Sequence, residues 1–267
     1  MKTDLTQEQI DAYQRDGCLI VKEFLTTQEL DVLISAVSEG VKQMGRWKVA
    51  CDEDKKHEDG NTYLDQVFLQ RVNLWKINDT VKRYFLDPKL GEMLCHLEGI
   101  DGVRIWHDQT LQKRPWAHAT NWHADDPKWS FYSPHAISIW IALDDATLQN
   151  GCMYYLPGSQ KLECYEDLAI PGPNLGGYFE IFPQFKNVEP IAAEMKAGDG
   201  GFHNGLTTHG AGANMTPRWR RAMTCAYMPD GATFNGIQNI LSDAQVAKLK
   251  IGDLLNDESQ NPLVWSA

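Results

Sequence analysis

The pattern of hydrophobic and polar positions changes character near residue 102. Before that point helix signals dominate. Residues 6–16 are predicted to form a helix, opened by a capping box of Thr6 and Gln9 with Leu5 and Ile10 as a hydrophobic staple, and ended at Asp16-Gly17. "CLIVKEF" then reads as a short strand. A second helix is predicted from Thr26 to about residue 42, with Thr26 and Glu29 as the box and Leu25 and Leu30 as the staple. Residues 45–62, containing "CDEDKKHEDGN", are too polar to build core and read as an exposed loop. Residues 79–98 look helical with a restart at Asp87-Pro88.

Beyond residue 102, short β-like runs alternate with turn signals: "GVRIWHDQTLQK", "HAISIWIAL", "CMYYLP", "GGFHNG" and "RRAMTCAYM". Strands that follow a helical start predict a sandwich or barrel buttressed by N-terminal helices. The Pro/Gly-rich insertion at 163–190 is a candidate lid. Ser242 and Gln245 open a last helix. No internal repeat or domain boundary is visible, so residues 1–267 are expected to form one domain. It would have helical support over about 1–100, a β core over about 101–230, and a C-terminal helix and tail over 231–267.

The net charge of −11 and the absence of basic runs exclude a nucleic-acid binder as the expected class. No apolar stretch approaches a membrane span. The six scattered cysteines include no C-x-x-C pair and read as reduced thiols, which with the polar start "MKTDLTQEQI" points to a cytoplasmic protein.

The chemistry concentrates in a few residues. In extended chain, His123 and Asp125 of "NWHADD" would point to the same side and could reach one ion. A second histidine could be His203 or His209. Two imidazoles and one carboxylate make the facial set that binds Fe(II) and leaves three positions open. On the strand "RRAMTCAYM", Arg220 shares a face with Ala222, Thr224 and Ala226, so a ligand could lie in front of its guanidinium. On "HAISIWIAL", Ile137, Ile139, Ile141 and Leu143 form one face, read as packed. Ser138, Trp140 and Ala142 lie on the other, which would face a cavity.

Four stretches in order make the chain resemble the phytanoyl-CoA dioxygenase family of iron(II)/2-oxoglutarate oxygenases. They are "LTQEQIDAYQRDGCLIVKEFLTTQEL", "WHADD", "IWIALDDATLQNGCMYYLPGSQK" and "HGAGANMTPRWRRA". The resemblance implies a mainly β fold with flanking helices, a double-stranded β-helix or jelly-roll. It implies His123, Asp125 and His209 as iron ligands and Arg220 as the grip on the far carboxylate of 2-oxoglutarate. Gln109 and Trp140 match positions lining the 2-oxoglutarate pocket, and Lys76 in "VNLWKIND" matches another. His203 becomes a pocket neighbour, and Asp126 a turn residue. The family often carries serine after the distal His-Gly; here Ala211 stands there, leaving the cosubstrate to Arg220 with Thr224 as a candidate aid. Related halogenases lack the carboxylate that Asp125 keeps, so halogenation is not expected.

The implied reaction uses Fe(II), 2-oxoglutarate and dioxygen, with ascorbate as a candidate reductant. It oxidises, and most simply hydroxylates, an unactivated C–H bond of a small metabolite or biosynthetic intermediate, releasing succinate and carbon dioxide. Alternatives are oxidative cyclisation or desaturation at the same site, a zinc hydrolase on the same ligands, or a non-catalytic metabolite binder. A monomer or homodimer without a nucleic-acid or membrane partner is expected.

Overall fold

The computed structural model describes residues 1–51, 58–60, 63–167 and 174–267. Eleven strands run through these residues: β1 (Cys18–Val21), β2 (Leu69–Val72), β3 (Gly102–Lys113), β4 (Thr120–His123), β5 (Ile137–Ala142), β6 (Met153–Tyr155), β7 (Ile191–Ala193), β8 (Gly200–Asn204), β9 (His209–Ala211), β10 (Arg220–Pro229) and β11 (Leu263–Ser266). They form two antiparallel sheets. The major sheet runs β1-β8-β5-β10-β3-β11 with β2 also on β3, and the minor sheet runs β4-β9-β6-β7. This is the expected double-stranded β-helix.

The helices are α1 (Gln7–Asp16), α2 (Thr27–Met44), α3 (Tyr63–Val67), α4 (Asp79–Phe85), α5 (Pro88–Glu98), α6 (Gly177–Ile181) and α7 (Asp243–Val246). The predicted capping boxes form at Thr6/Gln9, Thr26/Glu29 and Ser242/Gln245. Each serves amide protons that the first helical turn leaves without partners. Asp87 caps α5, whose first residue is Pro88, and so separates it from α4.

Alternation along the major sheet sorts side chains into two cores. Ile137, Ile139, Ile141, Met223, Cys225 and Tyr227 face the helices, packing with Leu33, Val37, Phe85 and Leu94. Trp140, Ala142 and Ala222 face inward with Tyr155 and Ala211 of the minor sheet. A bulge in β3 opposite Ala226/Tyr227 restores the alternation beyond Trp106, which joins Trp129, Phe131 and Phe234 to close one end of the sandwich.

Two expectations need correction. The tail is not only helix and coil: β11 pairs with β3 through Leu263–Ser266, where Val264 and Trp265 pack over Gly91 of α5. The polar stretch 45–62 is not wholly loose. Val49 bridges to Val72, and Asp59 forms a two-pronged ion pair (2.9 and 2.6 Å) with buried Arg71; residues 52–57 and 61–62 lie outside the described residues. Within 163–190, residues 168–173 also lie outside them, and the remainder includes α6. No helix among the described residues is long and apolar enough to cross a membrane.

Ile139 is fully buried on the helix-facing side of β5. Ile139→Ala is expected to lower unfolding stability by about 2–5 kcal/mol through lost burial and a residual cavity, read as a reduced denaturant midpoint with unchanged slope.

Candidate metal centre and cosubstrate pocket

The inner face of the major sheet and the facing minor sheet enclose a cavity of about 560 Å3. His123 ends β4 and His209 begins β9, and the two are cross-strand partners. Their ring centroids lie 4.3 Å apart. Each ring is aimed by the same device. Nδ1 of His123 donates to the Asn121 carbonyl at 2.8 Å, and Nδ1 of His209 donates to the Thr207 carbonyl at 2.9 Å. Those bonds fix the tautomer and leave each Nε2 lone pair facing the cavity.

Asp125 completes the cluster by a route the sequence reading did not foresee. It is not extended: its backbone is helical (φ −83°, ψ −46°) as the chain turns into a 3-10 turn at Asp126–Lys128. The Gly205 carbonyl accepts from the amides of both Asp125 and Asp126 at 3.0 Å, pinning the turn to the end of β8. Oδ1 of Asp125 then lies 3.5 Å from His123 Nε2 and 3.8 Å from His209 Nε2. The ligand atoms of the three side chains all fall within 4.8 Å of one another, so one metal ion could be held by all three.

Their charge states suit that task. Burial pushes the Asp125 carboxyl up, but the imidazoles of His209, His123 and His203 together outweigh it and hold it well below the usual carboxylate range. His209 is driven well below the usual histidine range, by burial first and then by His123. The set is therefore one carboxylate with a neutral buried imidazole, which favours a cation.

His203, the other candidate, sits on β8 with Nε2 3.5 Å from Oδ2 of Asp125. Its ring lies tilted against that of His209, with the centroids 4.5 Å apart.

Arg220 lies at the start of β10, only 2 % exposed and stacked 5.2 Å from the Trp140 ring. Burial pushes its guanidinium down to about 10, still a cation near neutrality. Its Nε and Nη1 are buried without a partner among the described residues. A buried cation with idle donors is costly unless an anion completes it. Neighbouring Arg221 points the other way and pairs with Asp144 at 2.7 Å. Gln109, Thr224 and Trp140 stand side by side across β3, β10 and β5, and all line the cavity, as does Ala211. The Gln109 amide oxygen accepts from Gln70 at 2.5 Å.

Lys76 is not brought to the cavity. Its 3-10 turn is tied through the amides of Leu74 and Trp75 to Asp108, which points to the helix side of β3. The ammonium bonds to the Gln260 side chain instead and lies 5.5 Å from the Trp75 ring.

Sequence reasoning missed Lys113. It follows Gln109 and Leu111 on the inward face of β3, opposite Arg220, so counting in twos would have found it. It is fully buried, donates to the His118 carbonyl at 2.6 Å, and is pushed down to about 6 by burial and then by Arg220. Of the candidate lid, Asp167 lines the cavity, while Phe179 of α6 packs against Trp122 at 5.9 Å.

Comparison with known proteins places this geometry. The sequence profile described as phytanoyl-CoA dioxygenase matches residues 13–222. A probable alpha-ketoglutarate-dependent hypophosphite dioxygenase of Stutzerimonas stutzeri is 26 % identical over 230 residues, covering 82 % of this chain and 77 % of its own. The non-heme alpha-ketoglutarate-dependent carbocyclase SnoK of nogalamycin biosynthesis superposes with a TM-score of 0.76 at 25 % identity, covering 97 % and 96 %. EctD of S. alaskensis, solved with 2-oxoglutarate and 5-hydroxyectoine, shares the fold with a TM-score of 0.69 at 19 % identity, covering 86 % and 78 %.

A Cβ on Gly205 would stand 2.8 Å from the Trp129 ring and 3.3 Å from the Asp126 Cβ. Gly205→Ala should therefore displace the Asp125 turn and weaken Fe(II) affinity by about tenfold or more, measured by chelator competition. Lys113 yields a pH expectation. Between about pH 6 and pH 10 the unfolded chain holds a proton that folded Lys113 lacks, so this group makes stability rise with pH across that window. Lys113→Met should flatten that rise in denaturation curves at pH 6.5 and 9.

Proposed function

Because the chain belongs to the phytanoyl-CoA dioxygenase family, whose relatives are iron- and 2-oxoglutarate-dependent oxygenases, we propose that it hydroxylates an unactivated C–H bond of a small metabolite or biosynthetic intermediate. In this reading His123, Asp125 and His209 hold Fe(II), and Arg220 takes the far carboxylate of 2-oxoglutarate. One observation carries it: the cavity that holds a two-histidine, one-carboxylate cluster also holds a buried guanidinium whose Nε and Nη1 have no partner among the described residues. A structural zinc site would be closed and would give no reason for Arg220.

Iron with 2-oxoglutarate and dioxygen supplies the oxidising power, and succinate and carbon dioxide leave as coproducts. The chain supplies placement. The Asn121 and Thr207 carbonyls keep both imidazoles in the ligating tautomer. Arg220, held over the Trp140 ring at 5.2 Å, offers its fork to a carboxylate. Gln109 and Thr224 offer polar contacts along the cosubstrate's length, and Thr224 stands in for a hydroxyl that Ala211 lacks. Trp122 and Phe179 shield the metal side from water. The likeness to a carbocyclase at 25 % identity over nearly the whole of both chains favours oxidative ring closure as the second reading.

Anaerobically iron-loaded protein given 2-oxoglutarate and air should form succinate slowly, and His209→Ala should abolish it. Arg220→Ala should weaken 2-oxoglutarate binding by about 2–5 kcal/mol, with Arg220→Lys falling between because an ammonium lacks the planar fork. No succinate together with no iron-dependent 2-oxoglutarate binding would refute the oxygenase reading.

A further inference from the structure

The wall of the cavity narrows the substrate. Its volume of about 560 Å3 falls in the range of about 300–1,000 Å3 that accommodates drug-sized ligands. Four residues with Asp, Glu, Lys or Arg side chains line it: Asp125, Lys128, Asp167 and Arg220. The oxygenase reading commits Asp125 to the metal and Arg220 to the cosubstrate. The remaining two are opposite in sign and both exposed. Among the described residues of the wall no buried cation is left to receive a phosphonate, a carboxylate or the phosphates of an acyl-CoA, and an oxyanion stripped of water without a partner is strongly disfavoured.

Apart from the polar side chains of Gln70, His107, Gln109, Thr120 and Asn121, the part of the wall near α3 is apolar. Leu64 and Val67 of α3, Phe68, Trp122, Trp129 and Ile240 all contribute to it. Leu64 is 55 % exposed, a large aliphatic side chain at the rim with little of the chain covering it. The Trp129 ring meets His107 edge-on at 6.5 Å, adding aromatic surface. Two polar atoms on this wall, the Tyr63 hydroxyl and Asn239 Oδ1, are buried without a partner among the described residues. They are suited to a hydroxyl or carbonyl on a bound molecule.

Resting on the oxygenase reading, we infer that the substrate is an uncharged, predominantly apolar, ring-bearing molecule with one or two hydrogen-bonding groups, seated between the metal cluster and α3. The aromatic members of the wall offer ring faces and edges, and the charge balance among the described residues disfavours a small oxyanion.

Calorimetric titration of protein loaded with Fe(II) and 2-oxoglutarate without air tests this, with flavone and 2-naphthol as neutral probes and methylphosphonate and acetyl-CoA as anionic ones. At least one neutral probe should bind one-to-one. Leu64→Glu should weaken that binding at least tenfold, and neither anion should bind. Binding of an anion, failure of both neutral probes, or neutral binding indifferent to both Leu64→Glu and Phe68→Ala would overturn the inference. The preceding titration of 2-oxoglutarate into iron-loaded protein separates the two levels. If it binds and the neutral probes do not, the substrate class alone falls. If it does not bind, the oxygenase reading falls and this inference with it.

Discussion

Everything in this molecule depends on the two-residue period of the major sheet. A strand must send alternate side chains to opposite faces. On β5 and β10 one set is large and apolar, and the helices bury it. That burial fixes the register, since a slip of one residue would turn Ile139 and Cys225 inward and Trp140 and Thr224 out. The other face is thereby free to carry small and polar groups. The cavity opens on that face beside Trp140, Arg220 and Thr224, while Ala142 and Ala222 belong with Tyr155 to the packed inner core.

The interior chemistry is then a problem of uncompensated charge. Asp125 is surrounded by three imidazoles, two of which share its oxygen Oδ1 while the third touches Oδ2. At the other end of the cavity, Arg220 has idle donors and a neighbouring lysine whose charge is suppressed by burial first and then by Arg220. A protein core tolerates such groups only where a ligand completes them. In the oxygenase reading a cation would answer one end and an anion the other. A molecule that is both a metal chelator and a carboxylate satisfies both ends at once.

Much of this was legible in the residues. The capping boxes, the restart at Asp87-Pro88 and the two faces of β5 and β10 follow from local rules, because each depends on neighbours three or fewer positions away. His123, Asp125, His209 and Arg220 were found by type, spacing and family resemblance, and the fold brings the first three together with Arg220 on the same cavity. What was not legible depended on distant partners. Asp125 reaches the cluster through a turn held by Gly205, a contact no spacing rule encodes. Lys76 was misassigned because Asp108, far along the chain, fixes its turn on the outer side of β3. The strand β11 was missed because four residues carry little periodicity until an edge is present to receive them.

The order of strands in the major sheet has a consequence for how the chain is made. Cys18 of β1 pairs with His203 of β8, and the central strand β5 takes β8 and β10, both later in the chain, as its neighbours. While the chain emerges from a ribosome, β1 has no partner until more than two-thirds of the polypeptide has been synthesised. Helices α1 and α2 can form early, but the surface they would cover does not yet exist. Such distant pairing makes folding slow and leaves apolar edges bare in the interval. The nascent chain, rather than the finished one, is therefore where this architecture is most exposed to aggregation and most dependent on chaperones.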